Sequence, residues 1–421
     1  MRDRFRLSPF AFRPLYFLAL AVLAVHCRTP LPSPEPVGLI APKGDTVVHG
    51  GDVTFKWDSV VRAANYQLQI DDRSSFYTPV FDTVLSAQAV LSLAHFLADG
   101  VYFWRVRART RDSVWGDWSQ VAGFSVRSYR IRQAIRTRGY PQSLDVRGDY
   151  AYVADGEAGL SIYDFRDPLK MVLVANIMDT VNSCWGVTIH GRYAYLAYGR
   201  KQLQIVDIAN LDSLKMLGSI SYTTGYAYDI AALETNYVVV ANHGKVSLFD
   251  VRDPNFPILL YEPHALARGV ALRDSVAYLA CEQLGLLIVR FSADSEPRAL
   301  AGVQTVGNAR GVALAGNHCL VADGREGLTI VDITNATSPQ VQGNCHIPGG
   351  YANKVAAHES MAYVAAGSAG LAAIDISDPA HPVLASLVKT PDAKAVFATP
   401  DGRIFATDRD WGLLVVEKEM E

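Results

Sequence analysis

Cysteine is scarce in this chain, with five residues among 421. Cys184, Cys281, Cys319 and Cys345 lie far apart, with no CxxC pair and no matched spacing. That scatter argues against a disulfide framework and leaves small buried apolar residues as the expectation. The ten histidines form no HxH, HxxH or HExxH, so no metal is expected. Gly-x-Ser-x-Gly and the phosphate-binding GxxxxGK[ST] loop are both missing, which removes two common catalytic frames. A surplus of positive charge is missing too. Lys and Arg number 39 against 42 Asp and Glu, so no nucleic-acid partner is expected. No apolar run is long enough to span a bilayer as a helix; Leu15–Val25 has 11 residues.

That short run follows Arg2, Arg4, Arg6 and Arg13, the order of a cleaved signal peptide. Cys27 comes next, then the Pro-rich stretch TPLPSPEP (Thr29 to Pro36). Residues 1–27 resemble a bacterial lipoprotein signal, which implies lipidation on Cys27 and a membrane partner through that anchor. His26 stands where the lipoprotein pattern places a small residue. Residues 28–37 read as a polyproline tether. Removal of residues 1–26 leaves 35 basic against 41 acidic side chains.

What the chain has in abundance is repetition. Apolar residues centring a first strand recur at Leu144, Val187, Ile230, Val270, Val312, Val355 and Val396, at intervals of 40 to 43 residues. Each is followed by a second strand such as YAYVA (Tyr150 to Ala154) and a Gly-rich turn such as DGEAG (Asp155 to Gly159). A third strand comes next: LSIYD, LQIVD, VSLFD, LLIVR, LTIVD, LAAID or LLVVE. Turn residues such as RDP (Arg166 to Pro168) lead to a fourth strand. Four short strands per period, none with helical spacing, predict an all-β fold, a seven-bladed β-propeller over residues 128–421. The last copy stops after LLVVE (Leu413 to Glu417), which would leave an unpaired edge. Residues 129–138, YRIRQAIRTR, are expected to supply its fourth strand and close the ring.

These copies resemble the LVIVD repeat family of bacterial β-propellers. LQIVD (Leu203 to Asp207) and LTIVD (Leu328 to Asp332) nearly spell the motif, and the ARGV start stands at Ala267–Val270 and Ala309–Val312. Arg290 and Glu417 depart from it by replacing the closing Asp. The resemblance implies export or surface display and little catalysis.

Residues 38–127 carry about seven short alternating strands, VTFKWD (Val53 to Asp58) and YFWRVRART (Tyr102 to Thr110) among them. They predict a fibronectin type III-like β-sandwich ahead of the propeller. WGDWS (Trp115 to Ser119) resembles the WSxWS box of cytokine-receptor domains of that fold. The resemblance implies a cation–π ladder with Arg105 and Arg107.

Propellers commonly bind ligands at the mouth of the central channel. By analogy, two rings of residues face it. The strand starts are Gln142, Trp185, Tyr228, Arg268, Arg310, Asn353 and Lys394; the second-strand ends are Asp155, Tyr198, Asn242, Cys281, Asp323, Ala366 and Asp408. Trp185, Tyr198, Tyr228, Arg268, Arg310 and Lys394 form the candidate ligand site, because aromatic faces beside cations suit an acidic sugar, a peptide carboxylate or another anion. Pairing of Arg310 with Asp323, Lys394 with Asp408 and Arg268 with Glu282 is the structural alternative. The expected function is that of a non-enzymatic exported surface lipoprotein that binds a glycan or protein and needs no cofactor. Two other readings stand beside it. One is an exported hydrolase or lyase using Asp155, Asp323 and Asp408 around the channel, and the other is a structural scaffold of an envelope complex.

Overall fold

A computed structural model describes residues 33–418 apart from residues 45, 50–52, 87, 94–96, 98–99, 128, 168–169, 180–181, 222–225, 234–235, 243 and 293–294. The signal segment 1–27 with Cys27, and the first part of the 28–37 stretch, lie outside the described residues. No helix of the described residues is long and apolar enough to cross a membrane.

Two sheets come first. One has three strands (Leu39–Ala41, Val53–Trp57, Val90–Leu93) and the other has five, with Gly100–Thr110 and Ala63–Asp71 at its centre. Val53–Trp57 alternates buried and exposed side chains, as a strand with one wet face must. The two sheets share one core in which Trp104 packs edge-on against Phe55, with ring centroids 5.0 Å apart. The Trp104 indole N–H donates to the Pro42 carbonyl at 2.6 Å, so the buried ring leaves no donor unmatched. The tether expectation needs a correction here. Pro34 and Val37 are buried, and Val37 belongs to this core. An apolar side chain beside an open core edge is drawn in, so 28–37 does not run free to its end.

The rest of the described chain forms seven four-stranded antiparallel sheets. Six are built from consecutive strands, beginning with Ser143–Arg147, Tyr150–Ala154, Leu160–Asp164 and Val172–Ile177. The seventh combines Ala393–Ala398, Ile404–Asp408 and Gly412–Lys418 with Tyr129–Ile135, which precedes the first sheet in sequence. Tyr129–Ile135 runs antiparallel to Gly412–Lys418, with Ile135 opposite Leu413 and Tyr129 opposite Lys418. Arg132 donates to both oxygens of Glu417 at 2.6 Å.

No sheet has a core of its own. Seven apolar clusters each lie between two successive sheets; one joins Leu144, Val153 and Tyr163 of the first to Phe405, Leu413 and Val415 of the seventh. Middle strands covered on both faces are therefore buried at every position, as in Leu160–Asp164, whose two polar members Ser161 and Asp164 are hydrogen-bonded. Outer strands such as Val172–Ile177 are half wet. The first strand of each sheet packs beside the first strand of the next, all the way round. That closeness explains the glycine of the ARGV start. A Cβ on Gly269 would lie 2.7 Å from the Arg310 carbonyl, and one on Gly311 2.7 Å from the Asn353 carbonyl.

Candidate functional site: the channel mouth

The turn after each second strand builds the mouth. Asp155 N–H donates to Gly159 O and closes the hairpin. Gly156, at φ 56°, exchanges both backbone hydrogen bonds with Cys184 at the start of the next sheet. Glu282 does the same with Ala309, and Gly367 with Ala393. The first strands are thereby stitched to their neighbours at one end of the ring. Their starts converge there as a rigid collar.

All seven strand starts, Gln142, Trp185, Tyr228, Arg268, Arg310, Asn353 and Lys394, line one cavity of about 460 Å³. Each is half-buried. The Trp185 and Tyr228 rings meet edge to face at 6.1 Å. Arg268 lies over the Tyr228 ring at 4.0 Å, and its Nε donates to Glu282 at 2.6 Å. Glu282 thus takes the place of the acid that Cys281 does not supply. Arg310 lies 5.4 Å over Tyr351, and Arg409, which also lines the cavity, lies 5.6 Å over Tyr140. Neither arginine has a carboxylate partner among the described residues. Lys394 pairs with Asp392 at 2.7 Å, not with Asp408. Lys354, at the cavity's floor, reaches across the ring to Asp229 at 2.5 Å. These two stand at the register position that Gly269 and Gly311 occupy in their own sheets. Five cationic side chains and one acid, Glu157, line the cavity.

The ring of second-strand ends is corrected. Tyr198 is fully buried, and its hydroxyl accepts the Asp179 N–H at 2.8 Å. Burial raises the Tyr198 pKa far above its ordinary value. Its phenol serves as a clamp on the loop after the fourth strand, and no part of it reaches the mouth. Asp155, Asp323 and Asp408 are likewise fully buried. Asp155 accepts Arg138 N–H and Ser161 Oγ–H at 3.0 Å. Asp323 accepts Gly307 N–H and the hydroxyls of Thr305 and Thr329. Asp408 accepts the N–H groups of Asp392, Asp410 and Trp411. These carboxylates cap loops, as Asp beside Gly-rich turns does. Burial raises the Asp155 pKa, against the pull of Thr137 and Ser161, but its shielded position gives a substrate no access. The analogy with other propellers put these strand ends at the channel, but the turn that follows each second strand folds them between sheets.

The four scattered cysteines are free and buried, and burial pushes the Cys345 thiol up to about 11 and Cys281 up to about 12. In the preceding sheets, Arg105 sits 4.3 Å from both Phe76 and Trp118, while Arg107 lies between Trp118 and Trp115. Arg109 adds a further rung over Trp115 at 5.0 Å. Gln69 and Gln67 accept from Arg105 and Arg107, which fixes the guanidiniums between the rings. Guanidiniums already cover those ring faces, so they cannot stack a sugar.

The profile of the LVIVD repeat matches residues 138–179, 183–224, 306–347 and 349–390. These are the first, second, fifth and sixth four-stranded sheets. No curated protein matches the chain. Among solved structures, the β-propeller domain of Cps50 (Swd1) from Myceliophteria thermophila is similar in fold. It aligns at 12% identity and a TM-score of 0.58, over 69% of this chain and 100% of that one. The chain thus contains LVIVD repeats and a β-propeller fold.

Proposed function

We propose that this protein is a non-enzymatic binding module: a seven-bladed propeller whose mouth takes an anionic group of a glycan or protein, carried on a fibronectin type III-like spacer. The observation that carries the reading is the convergence of all seven strand starts on one cavity, with Arg310 and Arg409, which have no carboxylate partner among the described residues, beside the Trp185–Tyr228 pair. The cavity's size falls in the range of about 300–1,000 Å³ common for small-ligand sites. A guanidinium without an acid is free to form paired hydrogen bonds to a carboxylate or sulfate. The aromatic edge supplies contact area for a sugar or peptide backbone. Export and lipidation at Cys27 belong to the same proposal and rest on the basic, apolar and cysteine order of residues 1–27.

An array of acidic and neutral glycans together with surface proteins tests the binding reading. The expected result is retention of acidic ligands by the wild type and loss of binding in a Trp185→Ala, Tyr228→Ala, Arg268→Ala triple variant. Unchanged affinity in that variant removes the mouth from consideration. Incorporation of labelled lipid into wild type but not Cys27→Ser tests the anchor.

A further inference from the structure

The ring has a second cavity, at the end away from the mouth just described. Its volume is about 1,210 Å³. First strands finish here, and the hairpin turns into the second strands form part of the wall. Its cations are Arg147, Arg273 and Arg290, and the acid among its lining residues is Asp274. Tyr237 and Leu272, both half-buried, give it an apolar side, backed by the buried Ile189, Leu248 and Phe291.

Arg290 is the informative residue. Five other copies of the repeat end their third strand in Asp, at Asp164, Asp207, Asp250, Asp332 and Asp375. There the carboxylate caps the following turn: Asp164 accepts Arg166 N–H, Asp332 accepts Thr334 N–H and Asp375 accepts Ser377 N–H. In the fourth sheet that cap is exchanged for a guanidinium. The Arg290 side chain has no hydrogen-bond or carboxylate partner among the described residues and stands exposed at the cavity wall. Arg273, of the same sheet, spends one Nη on the Gly316 carbonyl at 2.6 Å and keeps its other donors. Arg147 is held by Asp145 at 3.5 Å. The repeat has therefore reversed a charge at the place where a large, partly apolar cavity opens.

We propose that this cavity is a second ligand site, which takes an amphipathic anion: a carboxylate, phosphate or sulfonate head on an apolar or aromatic body. Arg290 meets the head, with Arg273 beside it, and the side formed by Tyr237 and Leu272 receives the body. The two cavities share no lining residue, so this site stands whether or not the mouth binds glycans.

The test is a fluorescence titration of the full chain with 1-anilinonaphthalene-8-sulfonate, which pairs a sulfonate with aromatic rings. Saturable one-site binding is expected. Arg290→Asp restores the residue of the other copies, so the fold has no reason to fail, and binding weakens by about tenfold or more. Arg290→Gln removes the charge without reversing it and weakens binding in the same direction, while Arg325→Gln, at an exposed arginine that lines neither cavity, leaves it unchanged. Thermal unfolding of each variant confirms that the compared proteins are folded. No saturable binding by folded wild type, wild-type affinity in both Arg290 variants, or a matching loss in Arg325→Gln would each overturn the proposal.

Discussion

Single residues decide how closely the sheets approach. Gly269 and Gly311 have ordinary negative φ, so their requirement is space, not backbone freedom. An added methyl on Gly311 must push against the Asn353 carbonyl and the Lys354 Cα, 2.7 and 2.9 Å away. Both contacts are backbone and cannot rotate aside. Gly311→Ala is expected to lower stability by about 1–3 kcal/mol, read from the urea midpoint. Asp145 gives a second prediction. Burial holds its carboxyl above the usual carboxylate range, against the pull of Arg147 and the Ile189 N–H. The folded protein therefore keeps this proton more tightly than the unfolded chain does. Its contribution to stability declines as pH rises from the unfolded value, about 3.9, through the raised folded one. Asp145→Asn keeps an acceptor for Ile189 and loses the charge. The variant should be more stable than wild type at pH 7, and the gap should close near pH 4. A gap that persists unchanged at pH 4 would refute the assignment. The sequence showed the glycine as part of ARGV but not its purpose, because the clash involves a strand some forty residues away.

At the scale of elements, the Tyr129–Ile135 strand is the part whose removal has the widest effect. It covers the outer edge of Gly412–Lys418, and the Arg132–Glu417 pair pins its register. Both side chains are about 30% exposed, so the pair is only partly screened. Arg132→Glu should lower stability by about 1 kcal/mol, and the double reversal with Glu417→Arg should recover most of it. Equal losses in single and double variants would show that the pair sets no register. The strands themselves were legible, because period, turn chemistry and the apolar third strand agree in every copy. The orientation of strand ends was not. Tyr198 and Asp408 occupy equivalent places, yet one clamps a backbone N–H as acceptor from its phenol and the other caps three N–H groups. Alternation predicts a face in mid-strand, but a turn rotates the last residue out of it. The strand starts do line one cavity: Gln142, Arg268, Arg310 and Asn353 each precede a strand, while Trp185, Tyr228 and Lys394 sit at bulges one residue inside theirs. Arg409 was missed because it follows the second strand of the split copy, outside the aligned positions.

At the scale of the whole molecule, cohesion is a circle of interfaces between neighbours. Each sheet relies on two flanking clusters, and opening the ring anywhere severs one cluster without freeing any sheet. Stability in such an array is set by neighbour terms, and closure makes every sheet's release depend on the others. The two sheets that precede the ring share a core whose buried members all lie between Val37 and Val126, with none from the ring. Two cores with no common residue can melt apart. Scanning calorimetry should therefore resolve two transitions, a smaller one for the sandwich sheets and a larger, single one for the ring. Gly311→Ala should lower the larger transition as one peak and leave the smaller where it was. A ring transition that splits into several, with only the part around the fifth sheet displaced, would mean that the sheets melt as an open row, and the seventh sheet's borrowed strand would then not be what holds them together.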